Sequence, residues 1–120
     1  MTTSYKEPVL RIEVTATKPG GVDTPAILLL PEGADDFTIY AKGTAATSCK
    51  IEESASSAQS LATGTPTPVY MSVDATLDSV GTTQVRFALG TRTPVALKVT
   101  CLTTGETATL VLVGKRRASR

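Results

Sequence analysis

The chain has no histidine and no tryptophan, only two phenylalanines, three tyrosines and two cysteines in 120 residues, and a net charge of +1. Each shortage removes something. Without histidine the commonest general base and metal ligand is gone, and two cysteines more than 50 residues apart form no metal-binding pattern. With aromatics at 4%, a core has to be assembled from Val, Leu, Ile and Ala, the small branched side chains that suit two closely packed sheets. A balance of twelve basic and eleven acidic side chains creates no global field for nucleic acid or a membrane surface. No apolar run reaches the 18 residues of a membrane-spanning helix, and MTTSYKEPVL has neither the basic start nor the apolar centre of a secretory signal, so a cytosolic origin is expected. In that compartment Cys49 and Cys101 are expected as reduced, buried thiols rather than a disulfide. An immunoglobulin-type cystine is disfavoured because no Trp lies between them and Val99 stands where that fold keeps a tyrosine.

What is present is alternation of period two. Leu10, Ile12, Val14 and Ala16 alternate with Arg11, Glu13 and Thr15, and the strand is closed by the turn Lys18-Pro19-Gly20-Gly21. Ala26 to Leu30 is a continuous apolar run between Pro25 and Pro31, expected either as a strand buried on both sides or as an extended arm covered by a neighbouring subunit. Phe37 to Lys42, Ala46 to Glu53, Val69 to Val73 and Gln84 to Leu89 follow, then Val95 to Cys101 and Ala108 to Val113. The last two, separated by Thr103-Thr104-Gly105-Glu106, are expected to close as a β-hairpin around which the rest packs. Ser54 to Pro68 carries only Leu61 as a sizeable apolar side chain and is expected as a long loop. Eight strand candidates and no persuasive helix predict an all-β, single-domain β-sandwich or jelly-roll-like fold. The expected organisation is an N-terminal arm or first strands over 1–31, the sandwich over 32–114, and a basic tail over 115–120.

Candidate chemistry is sparse. Candidate acids for paired-carboxylate work occur at Asp35-Asp36, Glu52-Glu53 and Asp74 with Asp78, and each set lies at a strand end or turn, where acids serve solubility and turn geometry. Gly20-Gly21 precedes no helix and is no phosphate loop. A sugar site would need stacked aromatics, and exposure of Tyr40 and Tyr70 on one face would favour it. The tail residues Lys115, Arg116, Arg117 and Arg120 suit an acidic groove on a protein better than nucleic acid, since no aromatic or second basic cluster accompanies them.

From Phe37 to Lys115 the chain resembles small β-sandwich structural proteins of tailed bacteriophages, those that decorate or cement the capsid. The likeness lies in CKIEES with its Ser/Ala/Gly loop, SVDATLDSV, and GTTQVRFALGTRTPVALKVTCLTTGETATLVLVG. It implies a non-enzymatic virion protein, assembled in the host cytoplasm, without cofactor or small-molecule substrate. Its partners would be the major capsid protein and other copies of itself, as a dimer or trimer. A tail- or fibre-associated virion protein and a host-surface or glycan-binding module are the alternatives. The residues expected to touch partners are Ile27, Leu28, Leu29 and Leu30 in the apolar run and Lys115, Arg116, Arg117 and Arg120 in the tail.

Overall fold

Alternating side chains commit each segment to a strand with one apolar face, and such strands are stable only when two apolar faces close on each other. The computed structural model describes residues 9–44, 48–90 and 94–116, and within them the alternation forms eight strands. They are β1 (Val9–Thr17), β2 (Ala26–Leu29), β3 (Ala34–Gly43), β4 (Cys49–Ser54), β5 (Met71–Ser72), β6 (Val85–Ala88), β7 (Ala96–Cys101) and β8 (Thr107–Arg116). Two four-stranded antiparallel sheets result, ordered β1-β8-β3-β6 and β2-β7-β4-β5. We call them sheet A and sheet B. Their apolar faces meet in one core, with Ile39, Ala108, Leu110 and Leu112 from sheet A against Ile51, Leu97, Val99 and the two cysteines from sheet B.

The pairing is nested. The first strand pairs with the eighth, the second with the seventh, the third with the sixth and the fourth with the fifth. The chain is therefore one long antiparallel ribbon, folded over so that β8 also meets β3 and β7 also meets β4. This arrangement corrects the expected hairpin. β7 and β8 lie in different sheets, so the connection 102–106 is a crossing between layers. Period two tells which residues face the core; Leu97 and Leu110 satisfy it by facing each other across the interior as well as they would side by side.

Ala26–Leu29 is an edge strand paired on one side with β7. Leu28 is 2% exposed, whereas Ile27 and Leu29 are 40% and 50% exposed. The run is thus neither covered on both faces nor a separate arm. Residues 9–29 supply two strands of the fold, and Ala16 and Leu28 belong to its core. At the other end β8 runs on through Lys115 and Arg116, which pair with Val9 and Asp35 and with Ala34 respectively, so these two residues are strand rather than tail. Arg117 and Arg120 lie outside the described residues, as does Ala46 at the start of the fourth expected strand.

The Ser54–Pro68 segment contains a helix that alternation could not reveal, α1 (Ala58–Thr63). Ser57 caps it by accepting from the Ser60 amide at 3.1 Å, and Gly64 ends it in the left-handed conformation (φ 74°) that favours glycine. Hydroxyls hold the rest. Ser54 donates to the Val69 carbonyl at 2.7 Å, the Val69 amide donates to Ser56 Oγ at 2.9 Å, and Ser60 donates to the Pro66 carbonyl. The order of this loop rests on side-chain-to-backbone hydrogen bonds where apolar burial is scarce. No helix of the described residues is long and apolar enough to cross a membrane.

Candidate functional site

With the apolar faces buried, what remains for function is the two outer faces, the sheet edges and the loops. On the outer face of sheet B the register sets Ile27, Lys98, Glu52 and Ser72 in one row across all four strands. Lys98 Nζ lies 4.4 Å from the centroid of the Tyr70 ring, and Lys50 Nζ lies 3.7 Å from Glu52. Burial, and after it the neighbouring Glu52 carboxylate, pushes the Tyr70 phenol above its ordinary value. In the next row half-exposed Leu29 stands beside Ala96 and Ser54, which are themselves buried. Of the four expected apolar contact residues, only Ile27 and Leu29 are presented outward; Leu28 is core and Leu30 is half-buried against it.

On the outer face of sheet A, Tyr40 lies between Val111 and Arg86. A shallow groove of about 260 Å³ runs beside it, lined by Arg11, Lys42, Gln84, Thr109 and Val111. Tyr40 and Tyr70 therefore occupy opposite outer faces, and no single aromatic platform forms. Lys115 continues the outer face of sheet A beyond Val113, so the basic end of β8 and the exposed leucine of β2 belong to different sheets.

The acids resolve into structural roles. Asp74 Oδ1 accepts from the amide and hydroxyl of Thr76 at 2.9 and 2.8 Å, capping a 3-10 turn at Ala75–Leu77. Asp78 accepts from Ser72 Oγ at 2.6 Å. Asp23 pairs with Lys18 at 2.6 Å across the turn after β1. Asp35 and Asp36 sit at a β-bulge, where the register of β3 against β8 shifts and Asp36 takes a positive φ of 55°, a conformation Asp tolerates better than most residues. Among the described residues no three His, Cys, Asp or Glu side chains converge as metal ligands would.

The cysteines are free, buried and directly opposite on β4 and β7. The Cys49 backbone exchanges both its hydrogen bonds with Val80, at 3.0 and 2.7 Å, so it faces Cys101 as a non-hydrogen-bonded pair, the closer kind of cross-strand neighbour. Burial, with Cys101 adding to it, pushes the Cys49 thiol up to about 11. Such a thiol packs and does not attack. Spacing in the sequence held no sign of this contact, because it depends on which strands are neighbours.

No protein-family model, curated protein or solved structure matches the chain.

Proposed function

We propose that the chain is a jelly-roll subunit of a virus particle, a capsid decoration or cement protein that binds the major capsid protein and stabilises the shell. The observation that carries this reading is the nested strand order, β1-β8-β3-β6 facing β2-β7-β4-β5. An eight-stranded antiparallel ribbon rolled into two Greek keys is the jelly roll, an architecture shared by viral shell domains, lectins and cupins. Fold alone does not assign function, and the side chains narrow it. A lectin-like site is disfavoured because Tyr40 and Tyr70 lie on opposite sheets. A reaction centre is disfavoured because the chain has no histidine, Asp74 and Asp78 are taken up in a cap and a turn contact, Asp35 and Asp36 sit at a bulge, and Glu52 faces Lys50. What the surface does offer is area for contact: exposed Ile27 and Leu29, and the basic end of β8 at Lys115 and Arg116.

The test is quantitative mass spectrometry of particles purified from the host that carries the coding sequence, together with thermal disruption of particles made without the chain. The expected outcome is a fixed ratio of the chain to the shell protein and a lower disruption temperature in its absence. Particles that contain none of it refute the reading.

A further inference from the structure

Sheet edges are where unpaired backbone groups wait for a partner, and the four edges here are unequal. β5 has two residues, β6 and β2 have four each, and β1 has nine. β2 is also flanked by Pro25 and Pro31, which lack the amide that would extend a ladder. β1 contains no proline, no glycine and no bulge, and it pairs residue for residue with β8 from Val9 to Thr17. Its far side is unused by the described residues except at one end, where Thr17 and Thr24 exchange backbone hydrogen bonds at 3.1 Å.

That bridge fixes the phase of the strand. Thr17 turns its N–H and C=O away from β8, so in an unbulged strand Thr15, Glu13, Arg11 and Val9 do the same. The free edge is therefore Val9 to Thr15, and its midpoint is Ile12. About that midpoint the side chains are self-complementary. Arg11 and Glu13, exposed on the outer face and paired with each other at 2.6 Å within the chain, have opposite charge, while Leu10 and Val14 on the inner face are both apolar and only half-buried. We infer that β1 is a homodimer interface: two copies pair antiparallel through this edge about a two-fold axis at Ile12, joining two copies of sheet A into one continuous sheet.

In that register Arg11 of each copy stands opposite Glu13 of the other, and the two outward-facing backbone groups of each exchange hydrogen bonds. Val9 does the same with Thr15, so the ladder ends where the Thr17–Thr24 bridge begins. On the inner face Leu10 meets Val14 and Ile12 meets its own mate, covering apolar surface that β1 leaves half open. A parallel pairing would instead set like charges together. The interface goes beyond the capsid reading and does not depend on it: a soluble dimer of this kind can exist whether or not the protein joins a particle.

The experiment is light scattering on the full chain across a concentration series, with R11E, E13R and the double exchange R11E/E13R. Wild type is expected to dimerise. Each single exchange turns two symmetry-related attractive pairs repulsive and should weaken the dimer roughly thirty-fold, and the double exchange should restore it. Circular dichroism and thermal melts establish that each variant is folded. A wild-type monomer at millimolar concentration overturns the inference, as does a dimer indifferent to the single exchanges or unrescued by the double one. Ile12→Cys gives an independent readout. Its two copies would face each other at the axis as a non-hydrogen-bonded pair, within reach of a disulfide, and mild oxidation should yield a covalent dimer on a denaturing gel. Absence of that cross-link in a wild-type-like dimer also overturns the proposed register.

Discussion

Gly43 closes β3 at the point where the chain leaves sheet A for sheet B, and its lack of a side chain is a packing requirement. A Cβ placed there would lie 1.3 Å from Ser48 Oγ, 2.7 Å from Ser48 Cβ and 3.4 Å from the Gly81 carbonyl oxygen. Ser48 is fully buried and its amide is held by the Val80 carbonyl at 2.8 Å. Rotating the hydroxyl relieves the first overlap but leaves the second, so the backbone of one segment has to move. Gly43 itself is tied to Gly81, its amide donating to the Gly81 carbonyl at 2.8 Å. Overpacking of this kind costs about 1–3 kcal/mol, and displacing the Ser48 hydroxyl from the Val80 carbonyl adds up to about 1. Gly43→Ala is therefore expected to destabilise by roughly 1–4 kcal/mol. At about 2.1 cal/mol/K per residue, a loss of 2.5 kcal/mol lowers Tm by about 10 °C. The assay is urea and thermal unfolding of Gly43→Ala in a cycle with Ser48→Ala and Ser48→Gly. Ser48→Ala removes only the hydroxyl overlap and should relieve the strain in part, whereas Ser48→Gly removes both contacts and should leave a coupling of about 1–2 kcal/mol. A Gly43→Ala protein within about 0.5 kcal/mol of wild type, or strict additivity with Ser48→Gly, refutes the reasoning.

The division of the apolar run is tested by paired substitutions: Leu28→Ala should cost about 2–5 kcal/mol in urea unfolding, while Leu29→Ser, on the outer face, should stay within about 0.5 kcal/mol. The pH dependence of stability follows from Cys49. The folded chain keeps the thiol proton up to about 11, while the unfolded chain releases it from its ordinary value of 9.0. Above pH 9 the unfolded state binds fewer protons, so stability is fully present below that pH and falls as pH rises toward 11; Cys49→Ala should flatten this part of the profile. In the folded protein at pH 8 neither buried cysteine should react with a thiol reagent at an appreciable rate, and both should react once urea unfolds the chain. Ser57→Ala removes the cap of α1 and should raise amide exchange across Ala58–Thr63 by about the factor that 1 kcal/mol implies, without moving exchange in β7 or β8.

Alternation made the strands legible because it is a local property. The first strand, read as Val9 to Ala16, ends one residue later at Thr17, and each of the other expected strands has a counterpart. Partners were not legible for the same reason. Val99 and Leu110 carry the same inward signal whether their strands share a sheet or face each other across the core, and a five-residue connection fits both. The nested order emerges only from the sum of all pairings, in which β8 has to serve β1 and β3 at once. The run Ala26 to Leu30 misled differently. A continuous apolar segment suggests cover on both faces, and an edge strand that turns Ile27 and Leu29 outward has the same sequence signature. The helix α1 escaped because its six residues owe their shape to Ser57, Gly64 and a set of hydroxyl bonds rather than to any apolar stripe.

Candidate contact residues were harder to see than the fold, since exposure depends on tertiary pairing. Clustered charge in the sequence points to Lys115, Arg116, Arg117 and Arg120, whereas Arg11 and Glu13 read as the polar face of an alternating strand. Their meaning changes once β1 is known to be an edge and Thr17 to be turned toward Thr24. An edge of nine residues without proline or bulge invites indiscriminate pairing unless something selects the partner. In the proposed dimer, opposite charges placed symmetrically about Ile12 supply that selection: they favour one register and a single two-fold mate, and they oppose parallel pairing and the two-residue slips that would set Arg11 or Glu13 opposite its own mate. Prolines beside β2 and brevity in β5 and β6 protect the other edges by denying the ladder altogether. The chain thus treats its edges in two ways, and the one it leaves long is the one whose side chains specify a mate.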